Sequence, residues 1–226
     1  DMLPIGVHHC SQALINHDMY VVKKAAERKI MLNGHEMVRP TGLCRTYPNL
    51  IGSESARGTE YQAFGGTMPH HVTILPFTRL NGGPMDYTPC AFSDSQHPHI
   101  TTHAHERALT VLYESGLQHL ADRPESFLAQ PKEVKEFLGN LPTVWDETRF
   151  LSGYPGESAV LARRSGSTWY VAGINGTDET KTIPVDTALV KGNSYNFTIA
   201  CSVGNPIKFG VTNDPSWGDS TDIAIQ

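Results

Sequence analysis

Helix and strand patterns alternate through residues 1–153, and this alternation limits the chain to α/β folds. A helix is predicted over residues 19–28 with Asp18 as its cap, and the short apolar strand 30–32 follows it. Another amphipathic helix is predicted over residues 126–137. Repeated units of this kind build either a doubly wound sheet or a (β/α)8 barrel.

The length of this region decides how much of a barrel it can hold. A complete (β/α)8 barrel takes about 250 residues, so residues 1–153 can supply only half of one. Half a barrel exposes two sheet edges and an uncovered interior, which is unfavourable for an independent domain. We therefore expect the chain to be a piece of a longer protein.

From residue 158 onward, short segments rich in β-branched and aromatic residues replace the helices. Turn residues at 165–167 and 175–176 separate them, a spacing that is typical of antiparallel strands. The sequence therefore predicts two domains. Residues 1–153 form the C-terminal half of the barrel, and residues 154–226 form a small antiparallel, sandwich-like β domain.

Composition excludes several functional classes. The formal net charge is −5 and the sequence pI is near 6.1, which argues against nucleic acid as a partner because binding phosphate takes clustered Lys and Arg. No apolar run approaches the roughly 20 residues that span a bilayer. The four cysteines are scattered, so buried free thiols are favoured over a zinc ribbon or a disulfide scaffold.

Three glutamates follow the ends of predicted strands. Glu36 comes just after the strand 30–32 and beside His35, while Glu54 and Glu60 lie 18 and 24 residues further on. Ligands and catalytic groups gather at the carboxyl ends of barrel strands. Two carboxylates that flank a glycosidic bond can serve as acid and as base or nucleophile. Taken alone, the pattern is weak and is more typical of a solvated surface.

Other polar residues leave alternatives open. Arg45 either holds a carboxylate or lies on the surface. Asp86 orients a neighbour, binds a sugar hydroxyl or caps a turn. Four closely spaced histidines allow a zinc site, although solvated histidines are favoured; they are His97, His99, His103 and His105.

The segment from Asn33 to Phe92 resembles glycoside hydrolase family 97. It is most similar to the branch of inverting α-glucosidases that serve starch utilisation. The resemblance extends over nearly the whole chain and is weakest at its C-terminal end. Six motifs carry it: NGHE (33–36), RPTG (39–42), RTYPN (45–49), ESARGTEY (54–61), LPFTR (75–79) and GPMDYTP (83–89).

The resemblance implies an N-terminal β-sandwich, a central (β/α)8 barrel and a C-terminal β domain. The N-terminal half of the same polypeptide would then be absent from this sequence. The implied activity is that of a calcium-dependent inverting α-glucosidase, which releases glucose from the non-reducing ends of α-linked gluco-oligosaccharides. The implied location is the periplasm.

The resemblance also implies roles for individual residues. Glu60 falls on the general acid and Glu36 on the general base, and both contact substrate. Glu36 and Glu54 fall on calcium-binding positions, and His35 falls on a residue that contacts sugar. Calcium prefers carboxylate oxygens, and its charge would keep Glu36 ionised. Glu60 has to keep its proton, so it is not assigned as a ligand. An inverting pair stands about 6.5–9.5 Å apart.

Two alternatives remain. Retaining members of the family, such as α-galactosidases, have no glutamate after the histidine, so Glu36 favours inversion. A catalytically inactive carbohydrate-binding fragment is the other alternative, because half of the barrel and one calcium ligand would be absent. Among the aromatic residues of the β region, Trp217 could stack on a sugar, whereas core packing is favoured for Trp169 and Tyr170.

Overall fold

The computed structural model describes residues 11–65, 67–94, 97–98, 100–179 and 181–185, together with strands at 195–199, 211–212 and 221–224. The helices are α1 (Gln12–Glu27), α2 (Leu43–Thr46), α3 (Pro69–Ile74), α4 (His103–Leu112), α5 (Pro124–Leu128) and α6 (Lys132–Gly139). Segments of 3₁₀ helix lie at Thr59–Phe64, Leu75–Phe77 and Arg79–Gly82. The strands are β1 (Leu32–Gly34), β2 (Leu50–Ser53), β3 (Glu147–Tyr154), β4 (Ser158–Ser165), β5 (Thr168–Asn175), β6 (Thr182–Val185), β7 (Tyr195–Ile199), β8 (Val211–Thr212) and β9 (Thr221–Ala224).

Helix α1 begins seven residues earlier than the apolar pattern predicts. Ser11 caps it, since the Ser11 hydroxyl accepts a hydrogen bond from the backbone N–H of Leu14 at 3.3 Å. Asp18, the predicted cap, therefore lies inside the helix. Its carboxylate instead accepts a hydrogen bond from the backbone N–H of Val38 at 3.4 Å, which ties the helix to the loop after β1.

The helix predicted over residues 126–137 is two short helices, α5 and α6. Pro131 lies between them and occupies the position just before α6. Proline has no backbone N–H and its ring clashes with the preceding turn, so it ends one helix and begins the next.

Strands in the N-terminal region run parallel, as an α/β fold requires. Strand β1 pairs with β2, and Ser53 at the end of β2 forms a parallel bridge with Met85. The backbone N–H of Met85 in turn donates to the carbonyl of Glu114 at 2.7 Å. Successive chain segments thus lie side by side with helices between them. The mixed α/β class is confirmed, while the half barrel stays a prediction.

Two sheets form the C-terminal region. Strands β3, β4 and β5 are antiparallel neighbours, whereas β7 pairs with β5 in parallel. The prediction of purely antiparallel strands is therefore wrong for this pair. A separate three-stranded antiparallel sheet has the order β6-β9-β8. The sequence did not predict β3, which ends at Tyr154 and so extends across the predicted boundary. The division at residues 153 and 154 stays a prediction.

Helix α4 packs on strand β5, and together they form the main core. The hydroxyl of Tyr113, at the end of α4, donates to the backbone carbonyl of Val72 at 2.6 Å. The Tyr113 ring lies 4.9 Å from that of Tyr87. Trp169 and Tyr170 are buried, as expected for core residues. Residues of the N-terminal α/β region and of the sheet β3-β4-β5-β7 share this core. The sheet therefore supports the ends of the N-terminal strands.

Arg79 is a buried cation that fastens the ends of two strand segments. Its guanidinium donates to the carbonyl oxygens of Ser53, Glu54, Gly83 and Pro84 and to the Ser53 hydroxyl, at 2.7–3.2 Å. Burial lowers the pKa of Arg79 to about 10, so it stays charged at neutral pH. A planar five-donor group can satisfy all of these acceptors at once.

We expect Arg79→Lys to lower the free energy of unfolding by about 2–4 kcal/mol, because three donors on one nitrogen leave buried carbonyl groups unpaired. Equilibrium urea unfolding measures the loss. Arg45→Lys is the matched control, since Arg45 is exposed, and it should change the free energy by less than about 0.5 kcal/mol. Equal effects of the two substitutions would contradict the role given to Arg79.

Candidate functional site

The candidate site lies where the parallel segments end. Asn33 belongs to β1, Glu54 follows β2, and Asp86 follows Met85. Carboxyl ends of neighbouring parallel strands meet at one edge, so residues distant in sequence come together there. The side-chain amide of Asn33 donates to the carboxylate of Asp86 at 2.6 Å, a contact between residues 53 positions apart.

The loops after β1 and β2 are joined through one carboxylate. The backbone N–H of Glu36 donates to Oε2 of Glu54 at 3.1 Å, and Nδ1 of His35 lies 3.8 Å from the same oxygen. Both loops contain left-handed backbone, at Glu36 (φ 53°) and Ser55 (φ 42°). The Ser55 hydroxyl bonds to the backbone of the first loop. Strained residues held by such contacts are frequent at functional sites.

Glu54 is a buried carboxylate whose negative charge is only partly balanced by its neighbours. It is 3% exposed, and burial raises its pKa because water no longer stabilises the charge. The backbone hydrogen bond from Glu36 and the charge of His35 act in the opposite direction, while the charges of Glu60 and Glu36 raise the pKa further. Oε1 of Glu54 has no hydrogen-bond partner among the described residues.

Glu60 lies in the 3₁₀ helix Thr59–Phe64 and is exposed. It lines an open pocket of about 420 Å³, whose lining also includes Phe64, Asp122 and Arg123. Glu36 and Glu60 both act electrostatically on Glu54, so the structure brings the three predicted glutamates into one region. Their catalytic and metal-binding roles stay predictions.

Asp86 is the centre of a buried hydrogen-bond cluster. Its side chain is fully buried, and it accepts hydrogen bonds from the side chains of Asn33, His35 (3.0 Å) and His119. The backbone N–H groups of His119 and Thr88 also donate to it. Burial by itself raises the pKa of Asp86, but the hydrogen bonds outweigh burial and lower it.

Of the open interpretations for Asp86, orientation of neighbours is the one that its contacts support. Sequence reasoning missed His119 altogether. His119 meets Asp86 across 33 positions of sequence, a distance that no sequence pattern reports.

Other predicted candidates lie elsewhere. Arg45 is exposed in α2, and Arg79 is the arginine that holds the backbone of Glu54.

The histidines considered for a zinc site, as far as the structure describes them, are not arranged around an ion. His105 is fully buried, and burial lowers its pKa to about 4, so it is neutral at pH 7. The ring of His103 packs 5.0 Å from that of Phe92. His99 lies outside the described residues, and in the described part of the chain the histidines of this stretch form no metal-binding group.

Two of the cysteines can be placed. Cys44 and Cys90 are free thiols, whereas Cys10 and Cys201, like Trp217, lie outside the described residues. Cys90 has left-handed backbone, with a φ of 71°, a conformation that favours glycine. Its side chain is fully buried, so it contributes to packing rather than to the site.

Comparison with known proteins identifies the family. The sequence model described as "Glycoside hydrolase 97" matches residues 7–56, and the one described as "Glycosyl-hydrolase 97 C-terminal, oligomerisation" matches residues 144–207. These two segments make up half of the chain. The chain belongs to glycoside hydrolase family 97. Within the described residues, no helix is both long and apolar enough to cross a bilayer.

Two curated relatives carry the same name. The chain is 42% identical over 166 residues to the "Probable retaining alpha-galactosidase" of Streptomyces bingchenggensis, covering 73% of this chain and 26% of the relative. It is 36% identical over 188 residues to the "Retaining alpha-galactosidase" of Bacteroides thetaiotaomicron, covering 77% of this chain and 28% of the relative. The chain therefore spans about a quarter of the length of these relatives.

Solved structures agree on the fold. A family 97 enzyme from Pseudoalteromonas sp. strain K8, in complex with panose, superposes with a TM-score of 0.75 at 35% identity, covering 81% of this chain and 30% of that one. The same enzyme in complex with acarbose gives a TM-score of 0.75 at 36% identity with the same coverage. These relatives do not confirm the inverting α-glucosidase branch expected from the motifs.

Proposed function

We propose that the protein carrying this chain is a glycoside hydrolase that acts on α-linked sugars, with Glu60 as the proton donor. The observation that carries the proposal is Glu54, a buried carboxylate flanked by Glu36 and Glu60 at the edge of parallel strands in a family 97 chain. Glu60 is exposed beside an open pocket, where it can reach a leaving-group oxygen.

Retaining α-galactosidase is the specificity that the curated relatives favour. Both are named for it, and they are 42% and 36% identical to this chain. In such an enzyme Glu60 first protonates the leaving oxygen and then, as a base, activates water. The nucleophile would be an aspartate that precedes this segment, as the family resemblance implies.

Inverting α-glucosidase is the second candidate, and two observations favour it. Glu36 follows His35 and lies against Glu54, where it could activate water as a base. The solved relative is seen with panose and with acarbose. The two candidates differ in both the sugar released and the configuration of the product.

Product configuration and substrate choice test the proposal together. We expect the intact protein to hydrolyse aryl α-galactoside faster than aryl α-glucoside, and the α-anomer to be the first product in NMR spectra. Faster release of glucose as the β-anomer would reject the retaining α-galactosidase in favour of the second candidate. Sugar binding by calorimetry without turnover of either substrate would instead indicate a carbohydrate-binding protein.

Glu60→Gln should lower the hydrolysis rate of substrates with poor leaving groups by about 10²–10⁴-fold, because the amide cannot supply a proton. Substrates with activated aryl leaving groups should be affected less, since they need little protonation. Glu133→Gln, on the exposed surface of α6, is the matched control and should leave both rates unchanged. Near-normal turnover of the poor substrates by Glu60→Gln would reject the assignment.

We also propose a calcium ion held by Glu36 and Glu54. The donor set fits, because calcium prefers carboxylate oxygens and Oε1 of Glu54 is buried without a partner among the described residues. When bound, calcium would supply the positive charge that keeps neighbouring carboxylates ionised. The rest of the polypeptide would complete the calcium ligand set. We also propose that the protein is located in the periplasm.

Calcium should stabilise the wild-type protein and have little effect on Glu54→Gln. Burial raises the pKa of Glu54 in the folded state. The ionised side chain therefore destabilises the fold once the pH rises above the pKa that Glu54 has in the unfolded chain. A bound cation relieves this destabilisation. Thermal unfolding with calcium and with EDTA measures the difference, and Glu133→Gln is again the control. An equal calcium response in wild type and Glu54→Gln would remove Glu54 from the ligands.

A further inference from the structure

Three metal-ligating atoms converge beside the glutamates. His35, Asp86 and His119 each offer one ligand atom, and these three atoms lie within 4.8 Å of one another. Oδ2 of Asp86 contacts Nε2 of His35 and Nδ1 of His119. Each residue follows a different strand or helix end, so the fold and not the local sequence brings them together. Two imidazoles and one carboxylate are the ligands that zinc and similar borderline ions prefer.

The carboxylate of Asp86 is fixed and faces the two imidazoles. Its Oδ1 accepts hydrogen bonds from the backbone N–H groups of Thr88 (3.4 Å) and His119 (3.1 Å). This leaves Oδ2 directed at His35 and His119. Ligands held in this way by outer hydrogen bonds are pre-oriented for an ion.

The imidazoles are accessible from solvent. The His35 side chain is 38% exposed and the His119 side chain is 56% exposed, while Asp86 is fully buried. An ion can therefore enter from the imidazole side. Water can complete its coordination there, as in zinc sites with three protein ligands.

Asn33 holds the same carboxylate oxygen from another side. Its side-chain nitrogen donates to Oδ2 of Asp86 at 2.6 Å and lies 3.5 Å from Nδ1 of His119. This contact fixes Oδ2 of Asp86 between Asn33 and the two imidazoles.

We propose that His35, Asp86 and His119 form a binding site for a borderline divalent ion of the zinc class. The ion replaces the ring protons that now face Asp86, and each proton moves to the other ring nitrogen or to solvent. This site differs from the calcium site at Glu36 and Glu54, because nitrogen ligands suit zinc and not calcium.

The location of this site gives zinc an inhibitory role, a point that rests on the proposed function. His35 is the residue expected to contact sugar, and an ion bound to its Nε2 would place a positive charge and bound water beside that contact. Binding itself is measured without substrate. Failure of the glycosidase proposal therefore leaves the binding experiment unaffected.

Calorimetric titration of Zn²⁺ into the intact protein tests the site, with excess Ca²⁺ present to occupy the carboxylates. We expect one Zn²⁺ per chain, and Co²⁺ should give a visible absorption spectrum of a site with nitrogen ligands. His119→Ala should weaken Zn²⁺ binding by more than about 100-fold, beyond the usual effect of an outer hydrogen-bond partner. His17→Ala, on the exposed surface of α1, should leave the affinity unchanged.

Thermal unfolding first establishes that the His119→Ala variant is folded. Because the His119 side chain is exposed, we expect the variant to fold. If the His119→Ala variant does not fold, His35→Ala is measured in its place. Unchanged Zn²⁺ affinity in the folded variant overturns the proposal, because the ion would then bind other histidines. Glu54→Gln should keep the Zn²⁺ affinity within about threefold. A loss in Glu54→Gln as large as that in His119→Ala would place the ion in the carboxylate site and also overturn the proposal.

Discussion

The hydrogen bonds of the buried Arg79 guanidinium hold the candidate site together. They join the backbone at Ser53 and Glu54 to the backbone at Gly83 and Pro84. These are the last residues before the loops that carry the site. With the strand ends fixed, Glu54 faces Glu36, and Asp86 faces Asn33 and both histidines. A cation that bonds only to neutral oxygens in this way leaves every carboxylate of the site free for other partners.

Two carboxylates with opposite environments lie side by side in this site. Glu54 is buried with one oxygen unpartnered among the described residues, and its pKa is raised. Asp86 is equally buried but saturated with donors, and its pKa is lowered. The first is thus a group that needs a cation, and the second is a group that positions its neighbours. Hydrogen bonding, and not burial, accounts for the difference.

Sequence patterns predicted much of the fold because those parts depend on local periodicity and turns. Strands β4 and β5 follow from such rules. The placement of Glu36 near Glu54 followed instead from the rule for barrel strand ends and from the family resemblance. The cap at Ser11, the break at Pro131 and the parallel partner of β5 were missed. Asn33 and His119 were missed for another reason, since they meet Asp86 only across 53 and 33 positions of sequence. No spacing rule reports contacts of that range.

The parallel pairing of β5 with β7 has a consequence for how the chain assembles. Strands β3, β4 and β5 can pair through hairpins, but β7 runs parallel to β5, and parallel strands need a longer crossover connection than a hairpin. Such a non-local closure is slow compared with hairpin formation. We therefore expect β5 to remain an open edge until β7 has been made and has paired, which exposes β5 to mispairing with another copy.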